Sequence, residues 1–236
     1  MNANLVEVFS SLQGEGPRLG ERQIFVRFGG CNLRCDYCDE PDTIPAGVGE
    51  SWSLGRLESE FSRLVRTRPH QAVSWTGGEP LLQAEFLAEA IEVTRHFGLK
   101  NILETNAVLP EKFNTVRALF DAVAVDLKLP SAIGFSAFSK HAEFLKALPK
   151  GSYVKVVLTE DSKWEEWDAV VDLVADIAPD LPLYLQPATP AQSLRTAGER
   201  VAPISPVRAM EYFYEARKRL SNVRIVPQWH PIWGLR

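Results

Sequence analysis

The sequence predicts an α/β domain on a parallel sheet, and three observations predict it. Short apolar, β-rich runs alternate with segments of helical periodicity along nearly the whole chain. About six such β-α units follow one another. No composition shift, low-complexity stretch or close repeat divides the 236 residues, so a single domain spanning 1–236 is expected. Right-handed crossovers follow from strands that alternate with helices. Periodicity leaves open whether the sheet stays open or curls into a partial or complete barrel.

The elements run in order. Residues 5–9 can add a strand ahead of the repeat, and residues 23–28 (QIFVRF) form its first strand. Residues 53–67 place Leu54, Leu57, Phe61, Leu64 and Val65 on one helical face. A strand at 72–75 precedes a helix at 80–97, which carries an apolar stripe from Leu82 to Thr94 and stops at Gly98. Strand 101–104, helix 110–120, strand 122–126 and helix 136–148 continue the alternation. Strand 153–158 leads to helix 162–177, with Ser162 as N-cap and Glu165 completing a capping box. Strand 183–186, a long connection at 188–206, helix 206–220 with Ser205 as N-cap and Pro206 at its first position, and strand 223–226 complete the series.

Composition narrows the class. Hydrophobic residues make up 45% and charged residues 24%, which excludes wholesale disorder. The net charge of −4 offers no global basicity to a nucleic-acid backbone. No apolar run approaches the roughly 18–20 residues that span a bilayer. The segment Met1-Asn2-Ala3-Asn4 lacks the basic-then-apolar pattern of a signal peptide. The expectation is a cytoplasmic enzyme with neither a nucleic-acid nor a membrane partner.

The chain has three cysteines, Cys31, Cys35 and Cys38. An odd number at C-x3-C-x2-C spacing, without a secretion signal, argues against disulfides and for a metal or cluster. Thiolates suit soft metals, and an iron–sulfur cube usually takes four of them. With three, one iron would stay open to a small molecule. The alternative is a Cys3His zinc site completed by His70, His96, His141 or His230, none of which lies at short zinc-motif spacing.

The unusual polar residues gather where the strands end, the side on which parallel α/β folds place their chemistry. Thr76-Gly77-Gly78-Glu79-Pro80 follows one strand; its glycines allow close backbone approach, and Glu79 can pair with an ammonium group. Glu104-Thr105-Asn106, Asp126-Leu127-Lys128 and Gln186-Pro187 end others, and Gln228-Trp229-His230 lies past the last. Arg27 is a charge inside an apolar strand. Pointing inward it needs an anionic partner, for which a substrate carboxylate would serve.

These residues carry a resemblance. C-x3-C-x2-C followed by a Gly-Gly-Glu loop resembles the radical S-adenosylmethionine superfamily. Phe9-Ser10-Ser11-Leu12-Gln13-Gly14-Glu15-Gly16, Phe25-Val26-Arg27-Phe28, Leu103-Glu104-Thr105-Asn106, Leu185-Gln186-Pro187 and Pro227-Gln228 with His230 resemble the 7-carboxy-7-deazaguanine synthase family within it. The resemblance implies a modified, partial (β/α)6 barrel, usually a homodimer. It implies a 4Fe-4S cluster on Cys31, Cys35 and Cys38, with S-adenosyl-L-methionine on the open iron and an electron from a flavodoxin-type donor. The resulting adenosyl radical would act on 6-carboxy-5,6,7,8-tetrahydropterin, whose ring contracts with loss of ammonia to a queuosine precursor.

Position by position, the resemblance implies pterin contacts at Leu12, Gln13, Gly14, Glu15, Arg27, Thr76 and His230. It implies S-adenosylmethionine contacts at Tyr37, Cys38, Asp39, Gly78, Glu79, Asp126, Leu127, Lys128 and Gln186. Members often carry Asp-Thr after the last cysteine, with the threonine on Mg2+. Here Asp39-Glu40-Pro41-Asp42-Thr43 stands instead, so Glu40 would take magnesium, with Thr43 as the alternative. The usual Glu-Thr-Asn-Gly reads Glu104-Thr105-Asn106-Ala107, a minor change. Two other readings compete: an activase that makes a glycyl radical on another protein, whose members also show Asp126-Leu127-Lys128, and a plain electron carrier or zinc module.

Overall fold

The structure, a computed structural model, describes residues 1–235. Its strands are β1 (Asn2–Leu12), β2 (Arg22–Phe28), β3 (Glu50–Ser53), β4 (Ala72–Gly77), β5 (Lys100–Thr105), β6 (Ala122–Asp126), β7 (Tyr153–Leu158), β8 (Leu183–Pro187), β9 (Ala191–Gln192), β10 (Arg200–Val201) and β11 (Val223–Ile225). Its helices are α1 (Leu54–Thr67), α2 (Ala84–His96), α3 (Pro110–Val116), α4 (Pro130–Ile133), α5 (Phe138–Leu145), α6 (Trp164–Ile177), α7 (Pro206–Arg217) and α8 (Trp229–Ile232).

Nine strands form one sheet in the order β11-β8-β7-β6-β5-β4-β2-β1-β3. From β2 to β11 neighbours are parallel, each crossover carrying a helix, so the six expected β-α units are present. β1 is longer than residues 5–9 and lies antiparallel to β2; it pairs also with β3, a strand the periodicity does not reveal. The two ends of the sheet, β11 and β3, do not pair among the described residues, so the barrel is partial.

The period-2 alternation of each strand gives the sheet two different faces. Ile24, Val26, Val73, Trp75, Leu103, Val123, Val125, Val154, Val156, Leu183 and Leu185 share one apolar core with Leu57, Phe61, Phe86, Leu87, Phe113, Phe144, Trp167, Val170 and Tyr212 of the helices. The alternate positions, such as Gln23, Ser74, Glu104, Asp126, Lys155 and Gln186, belong to the other face.

That second face must curl. Gln186 of β8 donates to Glu15, just past β1, at 3.1 Å. In a flat sheet these strands would stand six spacings of about 4.8 Å apart, roughly 29 Å. Three residues of leash past β1 reach only about 10 Å, and two side chains do not close the rest. The loops beyond β1 and β8 therefore meet across a trough.

Local chemistry explains the remaining boundaries. Ser205 caps α7 through the Arg208 N–H, with Pro206 at the first position as expected. Ser162 does not cap α6: Lys163 is the N-cap residue, and the Ser162 hydroxyl accepts the Thr159 N–H at 2.9 Å instead, so no capping box forms with Glu165. The expected helices at 80–97 and 110–120 are each part 3-10, over Pro80–Gln83 and Arg117–Leu119. The long connection at 188–206 holds the small β9–β10 hairpin.

Candidate active site

The trough is an open cleft, about 1260 Å³ counted out to solvent, at the C-terminal edge of the parallel strands. Cys31, Cys35 and Cys38, in the loop after β2, all line it, and none forms a disulfide. Burial pushes the thiols of Cys31 and Cys38 up to about 11 and raises that of Cys35 as well. Iron would therefore displace thiol protons as it binds. The β9–β10 hairpin clasps this loop. Asp36 accepts the Ser193 hydroxyl and the Arg195 N–H, and Arg34 Nε donates to the Leu194 carbonyl at 3.1 Å. Among the described residues, no three His, Cys, Asp or Glu side chains are placed to hold a single metal ion.

The turn after β4 presents Gly77 and Gly78 to the cleft. Gly77 has φ 124°, and a Cβ on Gly78 would lie 2.1 Å from the Gly30 carbonyl oxygen, so the turn packs flush on the cysteine loop. Glu79 does not line the cleft. It is fully buried, and its carboxylate accepts the Thr105 hydroxyl and the N–H groups of Asn106 and Leu81. Burial lifts its pKa to about 7 against the pull of those bonds. The expected ammonium partner is in the structure a brace between the β4 turn and the end of β5.

Along the floor runs a chain of buried charges. Lys155 of β7 bonds Glu15 and lies 3.4 Å from Asp126, which also takes Lys128 at 2.8 Å. Lys128 sits 5.2 Å from the centre of the Tyr37 ring. Burial alone would lower both lysines; the facing carboxylates hold them well above the usual range. Burial likewise pushes Glu15 up, but Lys155 and the Gln228 amide bring it down to about 2. Gln228 donates to Glu15 at 2.7 Å and to Asp39 at 3.1 Å.

The same lining also carries Leu12, Gln13, Gly14, Arg27, Thr76 and His230. Glu104 organises it, accepting Gln13 Nε2 at 2.9 Å and the hydroxyls of Ser74 at 2.6 Å and Thr76 at 3.3 Å. His230 packs on Gly14 and stands 3.9 Å from Asp39. Arg27 points inward, and the structure supplies its anions: Glu7 at 2.8 Å and Glu40 at 3.1 Å.

Most of the expected site residues thus meet in one cleft, with three exceptions. Glu79 is the first. Leu127 is buried in the apolar core, and Thr43 spends its hydroxyl on the Glu40 carbonyl at 2.7 Å. Sequence reasoning does not single out Lys155 or Glu7, and it gives Gln228 and Glu104 no definite part. Lys155 and Glu7 each interrupt an apolar strand, the same signal that singled out Arg27. Ala107, in the Glu104–Ala107 stretch, has φ 57°, the left-handed region usually left to glycine. The alanine thus holds a backbone conformation that the family's usual glycine adopts without strain.

Fold and site together define a class, the radical S-adenosylmethionine domain. Residues 25–159 match the profile of the family described as the Radical SAM superfamily. The chain is 36% identical to a 7-carboxy-7-deazaguanine synthase of Geobacter sulfurreducens, over 98% of this chain and 97% of that one. It is 34% identical to one of Methanothermobacter thermautotrophicus, over 100% and 99%. The crystal structure of QueE from Escherichia coli superposes with a TM-score of 0.64 at 18% identity, covering 97% of this chain and 94% of the other, a likeness of fold. The chain belongs to the 7-carboxy-7-deazaguanine synthase family.

The 4Fe-4S cluster and S-adenosylmethionine of this superfamily fit the residues present. Three free thiols share the cleft. Beside them Tyr37 Oη and Asp126 Oδ1 are buried without a hydrogen-bond partner among the described residues, as polar atoms awaiting a polar ligand would be.

Proposed function

We propose that the chain converts 6-carboxy-5,6,7,8-tetrahydropterin to 7-carboxy-7-deazaguanine with loss of ammonia, as a single domain over residues 1–236. The observation that carries this reading is one cleft that brings three thiols together with a polar wall of Arg27, Gln13 and Glu104. A flat, carboxylated heterocycle needs such a wall, and a radical source needs such thiols. Bound together, the cluster and S-adenosylmethionine supply a carbon radical once an electron arrives, from a flavodoxin-type donor on this reading.

The protein's own part is positioning and shielding. Cys31, Cys35 and Cys38 would hold three irons. Tyr37, Cys38, Asp39, Gly78, Asp126, Lys128 and Gln186 would hold S-adenosylmethionine, and Glu79 would support that turn from behind. Leu12, Gln13, Gly14, Glu15, Arg27, Thr76 and His230 would hold the pterin. The buried Glu15–Lys155–Asp126–Lys128 chain links the two sets, fixing the distance between radical and substrate. Magnesium would be held by Glu40, a half-exposed carboxylate at the cleft beside Asp39, rather than by the engaged Thr43 hydroxyl. A homodimer is part of the same reading. No helix among the described residues is long and apolar enough to cross a membrane.

The test is turnover. Cluster-reconstituted protein is given the carboxytetrahydropterin, S-adenosylmethionine and dithionite under argon. Formation of the deazapurine is expected; S-adenosylmethionine cleavage without it would overturn the reading in favour of another radical enzyme.

A further inference from the structure

Arg27 is divided between two acids that are held very differently. Glu7 stands opposite it in the β1–β2 register, so that pair is built into the sheet. Glu40 comes from the loop after the third cysteine and leads into the Pro41–Thr43 turn. Its side chain is 42% exposed, against 13% for Arg27. The guanidinium also lies 5.7 Å from the centre of the Phe9 ring, which stacks on Phe25. One acid and one ring therefore fix the arginine, while the other acid is only lightly held.

Guanidinium recognises carboxylate through two neighbouring nitrogens. Its two edges are Nε with Nη2, and Nη1 with Nη2. Glu7 sits on Nε and Glu40 on Nη2, the nitrogen common to both edges. A carboxylate arriving to bind in bidentate fashion on either edge must share Nη2 with Glu40.

We infer that Glu40 is an internal competitor for Arg27: an entering ligand carboxylate displaces it from Nη2, and residue 40 thereby sets how strongly the cleft prefers carboxylated over uncarboxylated pterins. This rests on the pterin reading of the cleft. The displaced Glu40 would be the side chain left to hold magnesium, so one carboxylate would leave the anion site as it enters the cation site.

Anaerobic titration calorimetry tests it, using cluster-reconstituted protein in magnesium-free buffer with 6-carboxypterin and 6-hydroxymethylpterin as probes. Glu40→Gln and Glu40→Ala should each bind 6-carboxypterin about two- to fivefold tighter than wild type, what a half-exposed ion pair is worth as a competitor. Neither should gain for 6-hydroxymethylpterin. Unchanged or weaker binding of 6-carboxypterin by both variants would overturn the inference while wild-type binding upholds the pterin reading. An equal gain for both probes would also overturn it, since the effect would not be carboxylate-specific. Wild type that binds neither probe would bring down the pterin reading and this inference with it.

Discussion

Glu15 and Lys155 lie 140 residues apart in the chain and meet as a buried ion pair beneath the cleft. The pair joins the loop after β1 to the middle of the parallel sheet, so the trough cannot open without separating two charges away from water. Removing one partner leaves the other with weaker company, Asp126 at 3.4 Å for Lys155 and the Gln186 and Gln228 amides for Glu15, so the cost falls at or below the roughly 3–5 kcal/mol of a fully broken buried pair. Lys155→Met and Glu15→Gln should each lower the urea midpoint strongly, and the double variant should lose less than their sum. Additive losses would show that the two side chains do not act on each other.

The same pair sets an acid limit. Glu15 is held near 2 when folded, against an ordinary 4.5. The unfolded chain takes up that proton first, so the contribution is complete above about 4.5 and drains away as pH falls toward 2. Wild type should lose stability more steeply than Glu15→Gln across that window in chemical denaturation.

Glu79 works in the opposite sense. Its pKa is raised to about 7 from 4.5, chiefly by burial. The folded protein keeps a proton that the unfolded chain releases, so stability falls as pH rises from 4.5 to 7 and levels off above. The loss is on the order of 3 kcal/mol. Glu79→Gln should flatten that slope. Unfolding curves of wild type and variant at several pH values give the comparison, and parallel pH profiles would refute the assignment.

Ala107 combines a positive φ with a buried methyl group. Replacing it with glycine relieves about 1–2 kcal/mol of backbone strain and gives up about 0.8 kcal/mol of buried methyl. Ala107→Gly should therefore fall within about 1 kcal/mol of wild type. Ala107→Val, β-branched in the same conformation, should cost well over that. Thermal unfolding of the three proteins checks the order.

Cys35→Ala removes one of three thiols from the cleft. Anaerobically reconstituted variant should lose the brown absorbance and iron content of wild type and cease to cleave S-adenosylmethionine. Full iron content in the variant would exclude Cys35 as a ligand.

The alternation of strands and helices was legible because burial of one sheet face forces a period of two on residues such as Ile24, Val26 and Phe28. The cysteine loop, the Gly-Gly turn and Arg27 were legible because each breaks a local rule for an ordinary loop or strand. Glu40's partner was not, since the Arg27–Glu40 pair is a tertiary contact that no spacing encodes. Glu79 was misplaced for a similar reason. A carboxylate after two glycines can pair with an ammonium group on sequence grounds, and only packing shows that Thr105 and Asn106 claim it. Ser162 offered an N-cap, but the Thr159 N–H competed for the same hydroxyl and won.

The amide of Gln228 reaches Glu15 from 213 residues further along the chain. During synthesis, Glu15 must therefore wait for that partner until almost every strand has emerged from the ribosome. The Glu15–Gln228 contact thus forms only after the parallel strands between the two residues have been made.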